Sequence, residues 1–561
     1  MQKIWKTKSI HSDDQQILAQ QLGVSLVLAQ ILINRGINNP ADAKTYLNCD
    51  LKDTHDPLLL KDMSAAVKHI QQAIKLKKNI VVYGDYDVDG LTSCAVLFNT
   101  LKQLKANVSC YIPHRVDEGY GLNKQACSLL KEQGADLLIT VDCGISAFEQ
   151  VDYLNSIGLD VVITDHHQPI GQKVPKALAV INPLQPGCKY PYKNLAGVGI
   201  TYKLASALVG ENQDISENLD LVALGTICDV ALLTGENRIL VKHGLDRLSR
   251  TNKIGLQALK QIAGIANKKL EAYHVGFMLG PRINATGRMG SAEKALQLLL
   301  SNDSNEAMVL AQALDDENKQ RQKEEAKTLR QALAMIEKEI NFKNDKSVVL
   351  HSDLWHPGVI GIVASRITER FYRPTILIST KDEMGKGSGR SIRNFHLFDT
   401  IAKCEHLLEG FGGHEKAAGL SILKSNLTSF KQFFNQMASL SLSAEDMMPM
   451  IEVDMQIALS CLSEELINEI EKCAPFGMGN TRPVFSSVNV QLKGSPKPLR
   501  AYGFKMWITD GDVTCEALAS NFSDIDTADI KNGFSIVYSP AINDWQGIHT
   551  IQLKLKDLHL S

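Results

Sequence analysis

The spacing of apolar positions changes along the chain, and each change marks a different kind of element. Between residues 75 and 230, short unbroken apolar runs alternate with helical stretches. The runs are Ile80-Val81-Val82-Tyr83, Ala135-Asp136-Leu137-Leu138-Ile139-Thr140-Val141, Val161-Val162-Ile163-Thr164 and Leu178-Ala179-Val180-Ile181. Strands that are apolar at successive positions are buried on both faces, so this alternation predicts a parallel sheet covered by helices on both sides. Residues 1–55 read as a small helical appendage packed on the main body. Ser25 is placed to cap a helix carrying Leu26, Leu28, Ile31 and Leu32, and Asn39-Pro40 opens another with proline at its first position.

Beyond residue 290 the pattern becomes one long rod. Ser304 is the expected cap of a helix whose Leu329, Leu333, Ile336 and Ile340 form an apolar stripe on an otherwise charged surface. It would span about 55 Å and reads as a rigid connector between two domains. Residues 345–440 return to α/β, with strands at Val348-Val349-Leu350 and Thr375-Ile376-Leu377-Ile378. From 450 to 561 the chain is mostly β. Ile551 to Leu560 alternates strictly, Thr509-Asp510-Gly511-Asp512 signals a turn, and the length suits a five-stranded barrel of OB type.

The composition is that of an ordinary globular protein: 44% hydrophobic and 22% charged over 561 residues, long enough for several domains. Sixty Lys+Arg against 62 Asp+Glu leave a net charge of −2, so any nucleic-acid partner must be met by locally gathered cations. The 11 cysteines are scattered with no CxxC pair, so neither a structural zinc site nor a disulfide framework is indicated, and a reducing cytoplasm fits best. The opening MQKIWKTKSIHSDD lacks the apolar core of a secretory signal, and no run approaches the roughly 20 apolar residues needed to span a membrane.

Four short segments carry the chemistry. Tyr83-Gly84-Asp85-Tyr86-Asp87-Val88-Asp89-Gly90 sets three aspartates two residues apart directly after a strand. Carboxylates this close repel one another unless a cation sits among them, and hard divalent ions seek such oxygen ligands. The string also resembles the start of an EF-hand loop. However, its twelfth position is Val96 rather than Glu, and a strand rather than a helix precedes it. Val141-Asp142-Cys143-Gly144 and Thr164-Asp165-His166-His167 also end strands, and Cys228-Asp229-Val230 follows further on. Each is weak alone. Open α/β sheets, however, bind ligands at the carboxyl ends of their strands, so the first three segments should converge. Mixed Asp/His ligation without thiolate favours two Mn²⁺ or Mg²⁺ ions.

In order and rough spacing, GDYDVDG, VDCG, TDHH and CDV resemble the phosphoesterase motifs of the DHH/DHHA1 family. The resemblance implies that Asp87, Asp89, Asp142, His166 and Asp229 ligate metal, with Asp85 as a further ligand at a position that varies in the family. It gives His167 a substrate-phosphate or ligand role. GPRINATGR, read as a glycine-bearing loop, is similar to a signature of the family's bacterial single-strand-specific exonucleases and nominates Arg282, Asn284 and Arg288 for phosphate. GSGRS and GFGGHEKAAG are read as glycine-rich loops whose amides could approach phosphate. The second resembles the DHHA1 signature, and these strings nominate Ser388, Arg390, Gly413 and His414. PFGMGNTRPVF resembles the family's approach to its OB domain, where Tyr502, Phe504, Trp507, Tyr538 and Trp545 are candidates for base stacking.

The expected fold is thus an α/β parallel-sheet DHH domain (56–290) after the appendage (1–55), then a connector helix (291–344), a smaller α/β DHHA1 domain (345–445) and an OB barrel (446–561). The family implies a 5′→3′ exonuclease on single-stranded DNA working by two-metal hydrolysis. Its implied partners are single-stranded-DNA-binding protein and a repair helicase, with no membrane. Two rivals are small-nucleotide phosphodiesterases, which lack the barrel, and a non-cleaving replication scaffold, which would have lost metal ligands.

Overall fold

The computed structural model describes residues 3–114, 118–119, 121–210, 214–289, 291–499, 503–520, 533–545 and 547–560. They form two compact units. The larger contains residues 5–287, 292–312 and 452–561, and the smaller contains 3–4, 288–291 and 313–451.

The larger unit holds a five-stranded sheet of β1 (Asn79–Tyr83), β2 (Asn107–Tyr111), β3 (Leu137–Val141), β4 (Asp160–Thr164) and β5 (Ala179–Ile181). Its order is β2-β1-β3-β4-β5 and every pairing is parallel. The predicted parallel sheet is present, with one strand more than the sequence displayed. In β2 (NVSCY) only Val108 is buried, because the strand lies at the sheet's edge, and so it lacks an unbroken apolar run. The chain leaves β1 for β2 on one side and then returns to β3 on the other. Such reversals open the crevice in which α/β sheets bind ligands. Helices α1 (Val88–Gln103), α2 (Gly197–Val209) and α3 (Leu219–Cys228) pack around this point.

The N-terminal helices Ser12–Leu22 and Leu26–Asn34 do not form a separate core. Leu18, Leu28, Ile31 and Leu32 share one with Ile470, Phe485, Phe534 and Leu553 of the C-terminal region. Ser25 caps as expected, accepting from Leu28 N, and Asn39 accepts from Asp42 N. Arg238, only 2% exposed, fastens the parts together. Its guanidinium lies 3.8 Å over the Tyr46 ring and donates to the carbonyls of Tyr46, Lys472 and Ala474. Arg238→Ala strands these buried acceptors, at about 1–3 kcal/mol each if unrelieved. The expected result is a lower urea midpoint for the larger unit, followed by far-UV circular dichroism.

The C-terminal barrel closes. Strands β11 (Phe485–Leu492), β12 (Gly503–Thr509), β13 (Thr514–Ser520), β14 (Phe534–Trp545) and β15 (Ile548–Leu560) run in the order β11-β14-β15-β13-β12. Gln491↔Thr509 and Leu492↔Ile508 then join β11 to β12. Five strands closed in this way match the OB-type prediction.

Helix α5 (Ser304–Glu339) is continuous over 36 residues. Its cap is Asp303, which accepts from Glu306 N, rather than Ser304. The expected apolar stripe packs in the smaller unit: Ile336 is buried with Leu350, Trp355 and Ile360, and Leu329, Leu333 and Ile340 lie against them. That unit's sheet contains β6 (Val348–Ser352), β7 (Thr375–Lys381), β8 (Met384–Arg390), β9 (Gly410–Gly413) and β10 (Ala417–Leu423), in the order β9-β10-β8-β7-β6. Helix α6 (Pro357–Phe371) packs on it.

Two expected loops are strands. GSGR lies inside β8, between β7 and β10, and GFGG forms the edge strand β9. Side-chain packing explains the glycines of β8. A Cβ on Gly385 would sit 2.8 Å from Ile378, on Gly387 2.7 Å from Leu420, and on Gly389 3.0 Å from Leu397. Alternate glycines therefore let the core close onto one face of the strand. Among the described residues, no single helix is long and apolar enough to cross a membrane.

Candidate metal centre

The site is built at the ends of neighbouring strands. Tyr83 of β1 pairs with Thr140 of β3, and Val141 of β3 with Thr164 of β4, so Asp85, Asp142 and Asp165 leave the sheet side by side. Asp87 caps α1, its carboxylate accepting from Asp89 N at 2.9 Å and Gly90 N at 3.1 Å. Asp89 is buried and accepts from Gly197 N at 2.7 Å and Val198 N at 2.8 Å, at the first turn of α2. Asp229 follows α3, whose Gly225 leaves room for Asp89: a Cβ there would lie 2.9 Å from Asp89 Oδ1. Asp142 is held in the left-handed region at φ 61°.

These elements bring the predicted ligands together. Three sets of donor atoms each lie within 4.8 Å of one another: Asp85, Asp87 and Asp142; Asp142, His166 and His167; and Asp89, His166 and Asp229. His166 Nε2 is 3.2 Å from Asp142 Oδ1 and 4.0 Å from Asp229 Oδ2. Asp142 and His166 therefore each belong to two sets, as expected where two ions share ligands.

The electrostatics point the same way. Burial, with the Asp229 carboxylate nearby, pushes Asp89 up to about 7. Burial and the neighbouring Asp89 raise Asp142, and burial raises Asp229. Burial works against charge on His166, but Asp229 and Asp89 outweigh it and raise its pKa. Divalent cations would reverse the repulsion among these carboxylates, and the donor set, oxygen with imidazole and no thiolate, fits Mn²⁺ or Mg²⁺.

Asp165, to which the sequence reading gave no role of its own, orients His167. Its Oδ1 lies 2.7 Å from His167 Nδ1 and accepts from His167 N, while Oδ2 accepts from Ile145 N at 2.8 Å. Burial opposes a charged His167, yet the Asp165 bond raises it to about 9, and the same bond holds Asp165 below the usual carboxylate range despite its burial. The available signal was position: Asp165 sits between a strand end and two histidines. Carboxylates behind a site histidine typically matter about 10–100-fold. Asp165→Asn is expected to reduce activity by that factor, read as initial rate at saturating metal.

The segment carrying Arg282 and Asn284 is helix α4 (Gly280–Met289), not a loop. Pro281 cannot donate to the carbonyl four residues back, and the turn just before it, Val275–Leu279, widens to π-helical spacing. Asn284 Oδ1 accepts from Val88 N at 3.2 Å and so steadies the start of α1. Arg282 Nη1 donates to Met278 O. Gly287 lets α4 approach the Tyr86 carbonyl, where a Cβ would lie 2.9 Å away.

In the smaller unit, Arg288 Nη1 donates to Gly358 O at the start of α6. Ser388 and Arg390 lie together beside Gly361, with Arg390 Nη1 donating to Ser388 Oγ at 3.1 Å. Gly413 and His414 are exposed on the β9–β10 hairpin, which His414 N closes onto Ala417 O. Arg366 is engaged with Glu325, and Arg373 donates to backbone carbonyls, so both arginines hold the unit's own structure. In the barrel Trp507 is exposed, Phe504 half-buried and Tyr538 fully buried, a core residue. Tyr502 and the Trp545 side chain lie outside the described residues.

Comparison with known proteins agrees with this geometry. Residues 79–226 match the DHH family N-terminal domain, 344–440 the DHHA1 domain and 453–557 the RecJ OB domain. The single-stranded-DNA-specific exonuclease RecJ of Bacillus subtilis is 39% identical, over 99% of this chain and 71% of its own length. The chain belongs to the RecJ family. The Escherichia coli RecJ is 36% identical over 76% of this chain and 78% of its own. The crystal structure of Thermus thermophilus RecJ in complex with Mn²⁺ superposes with a TM-score of 0.85 at 30% identity, covering 99% of this chain and 79% of that one.

Proposed function

We propose that this RecJ-family chain is an exonuclease that hydrolyses single-stranded DNA from the 5′ end with two Mn²⁺ or Mg²⁺ ions, in DNA repair and recombination. The observation that carries this reading is the sharing of Asp142 and His166 between adjoining groups of metal-ligand atoms. Asp85, Asp87, Asp89, Asp142, His166 and Asp229 would hold the ions. When bound, two such ions supply an activated water and neutralise charge on the attacking and leaving oxygens. The chain's own residues position the rest. Asp165 fixes the His167 ring through Nδ1, leaving Nε2 to donate to a phosphate oxygen. Asn284 fixes the Val88 amide at the start of α1, and the first turn of α2 fixes the Asp89 carboxylate. Arg282 is a phosphate contact beside this centre. Arg288, Ser388, Arg390, Gly413 and His414 are the contacts offered by the smaller unit, which would stabilise charge on the nucleotide.

We assign catalysis to residues 56–290, substrate contact to 345–445 and strand binding to 446–561, with 1–55 as the helical appendage and 291–344 as connector. Single-stranded-DNA-binding protein and a repair helicase are the proposed partners. A cytoplasmic location accords with cysteines that are all free thiols.

The test is digestion of a single-stranded oligonucleotide labelled at one end, beside its duplex and an RNA copy, with and without Mn²⁺. Metal-dependent loss from the 5′ end that spares the duplex supports the reading. Binding without cleavage under any divalent ion would turn it into a scaffold.

A further inference from the structure

Tyr273 and Phe277 are 62% and 71% exposed on the larger unit. Their rings stack, with centroids 5.0 Å apart and planes 28° apart. Core packing does not account for them, because the same segment buries Val275 and Leu279 instead. The segment is firmly seated. Glu271 and His274 form a reciprocal cap at its start. Gly280 passes so close to Cys228, the residue before Asp229, that a Cβ would lie 2.4 Å from its sulfur. The π-helical turn at Val275–Leu279 is of a kind often found at functional sites.

In chain order the pair falls between two polar features. Two helical turns further on, about 10 Å at 1.5 Å per residue, Asn284 holds Val88 N beside Asp87. Just upstream in sequence, Lys268 and Lys269 join Arg250 in lining a cavity of about 480 Å³, with Asp246 as its one carboxylate. Along the chain, cations, exposed stacked rings and a residue that steadies the metal-ligand turn follow one another, and a polyanion carrying flat bases needs both phosphate contacts and an aromatic face.

We infer that Tyr273 and Phe277 are a nucleobase-stacking platform for the single-stranded substrate, and that Arg250, Lys268 and Lys269 take its phosphates. This rests on the exonuclease reading and adds to it how the strand is gripped beside the metal centre. Stacking on the π face that every base possesses would hold the strand without selecting sequence.

The experiment uses the full chain with Tyr273→Ala/Phe277→Ala. Binding of an oligodeoxythymidylate, and of an abasic strand of equal length, is measured by anisotropy without divalent metal. Binding of the base-bearing strand should weaken about 10-fold or more, while the abasic strand binds as before. Hydrolysis of a dinucleotide should keep its kcat. Tyr273→Trp/Phe277→Trp should restore affinity. If the alanine variant folds poorly, Tyr273→Leu/Phe277→Leu preserves bulk without an aromatic face and should show the same selective loss. Equal weakening for both strands, or no weakening, overturns the platform. Because binding is read without metal, failure of the unaltered chain to cleave DNA would sink the exonuclease reading separately from this one.

Discussion

Asp142→Asn is expected to abolish metal-dependent cleavage while leaving the fold intact. The substitution keeps the shape of a side chain that is only 2% exposed and removes its charge. Asp142 is in one set of ligand atoms with Asp85 and Asp87 and in another with His166 and His167, so one change weakens the hold on both ions. Bound metal contributes several kcal/mol of charge stabilisation. At 1.36 kcal/mol per factor of ten, its loss corresponds to a rate lower by about 10³-fold or more. A second readout does not depend on turnover. An ion that binds only the folded chain stabilises it by about 2.7 kcal/mol at a hundred times its Kd, so Mn²⁺ should raise the Tm of the unaltered protein and barely move that of the variant. Asp160→Asn is the control, because its contact with Lys78 is a half-exposed pair worth about 0–1 kcal/mol. Unchanged cleavage by Asp142→Asn would remove Asp142 from the centre.

What the sequence disclosed depended on whether a residue's job leaves a local pattern. Strands β1, β3, β4 and β5 are covered on both faces and show as apolar runs, so their shared carboxyl edge, and with it the convergence of Asp85, Asp142 and His166, could be anticipated. Edge strand β2 buries one face weakly and left no such trace. Glycine was the least legible residue. In β8 it makes room for Ile378, Leu420 and Leu397, and in α4 for the Tyr86 carbonyl, and both segments look like loops when glycine is taken as a turn signal. Helix α4 was further disguised by Pro281, which the π-helical turn accommodates. The N-terminal helices announced their caps but not their partners, because a shared core with the barrel depends on residues more than 400 positions away. Asp165 was visible as a letter in a motif, but its grip on His167 is a matter of three-dimensional aim.

Gly197→Ala is expected to separate activity from stability. Gly197 is the first residue of helix α2, so alanine gains only part of the roughly 0.5–1 kcal/mol it holds over glycine in a helix interior, and Gly197 is not among the residues with positive φ. Backbone preference alone therefore predicts a more stable protein. The surroundings predict the opposite for the site. A Cβ at Gly197 would lie 2.5 Å from Asp142 Oδ1 and 2.9 Å from Asp142 Cγ, while the Gly197 amide holds Asp89 Oδ2 at 2.7 Å. Relief requires Asp142 to swing away or α2 to retreat, and retreat loosens Asp89. Overpacking of this kind costs about 1–3 kcal/mol, which the helix gain partly offsets, so the midpoint of unfolding should change little. Displacing a ligand by an ångström is another matter, since misplacements of that size cost about 10²-fold in rate. The expected signature is a loss of cleavage and of Mn²⁺-induced stabilisation far larger than any loss of metal-free stability. Gly410→Ala, where a Cβ would meet nothing within 4 Å, should leave all three unchanged. A Gly197→Ala protein that cleaves normally would mean that the first turn of α2 does not position the two carboxylates.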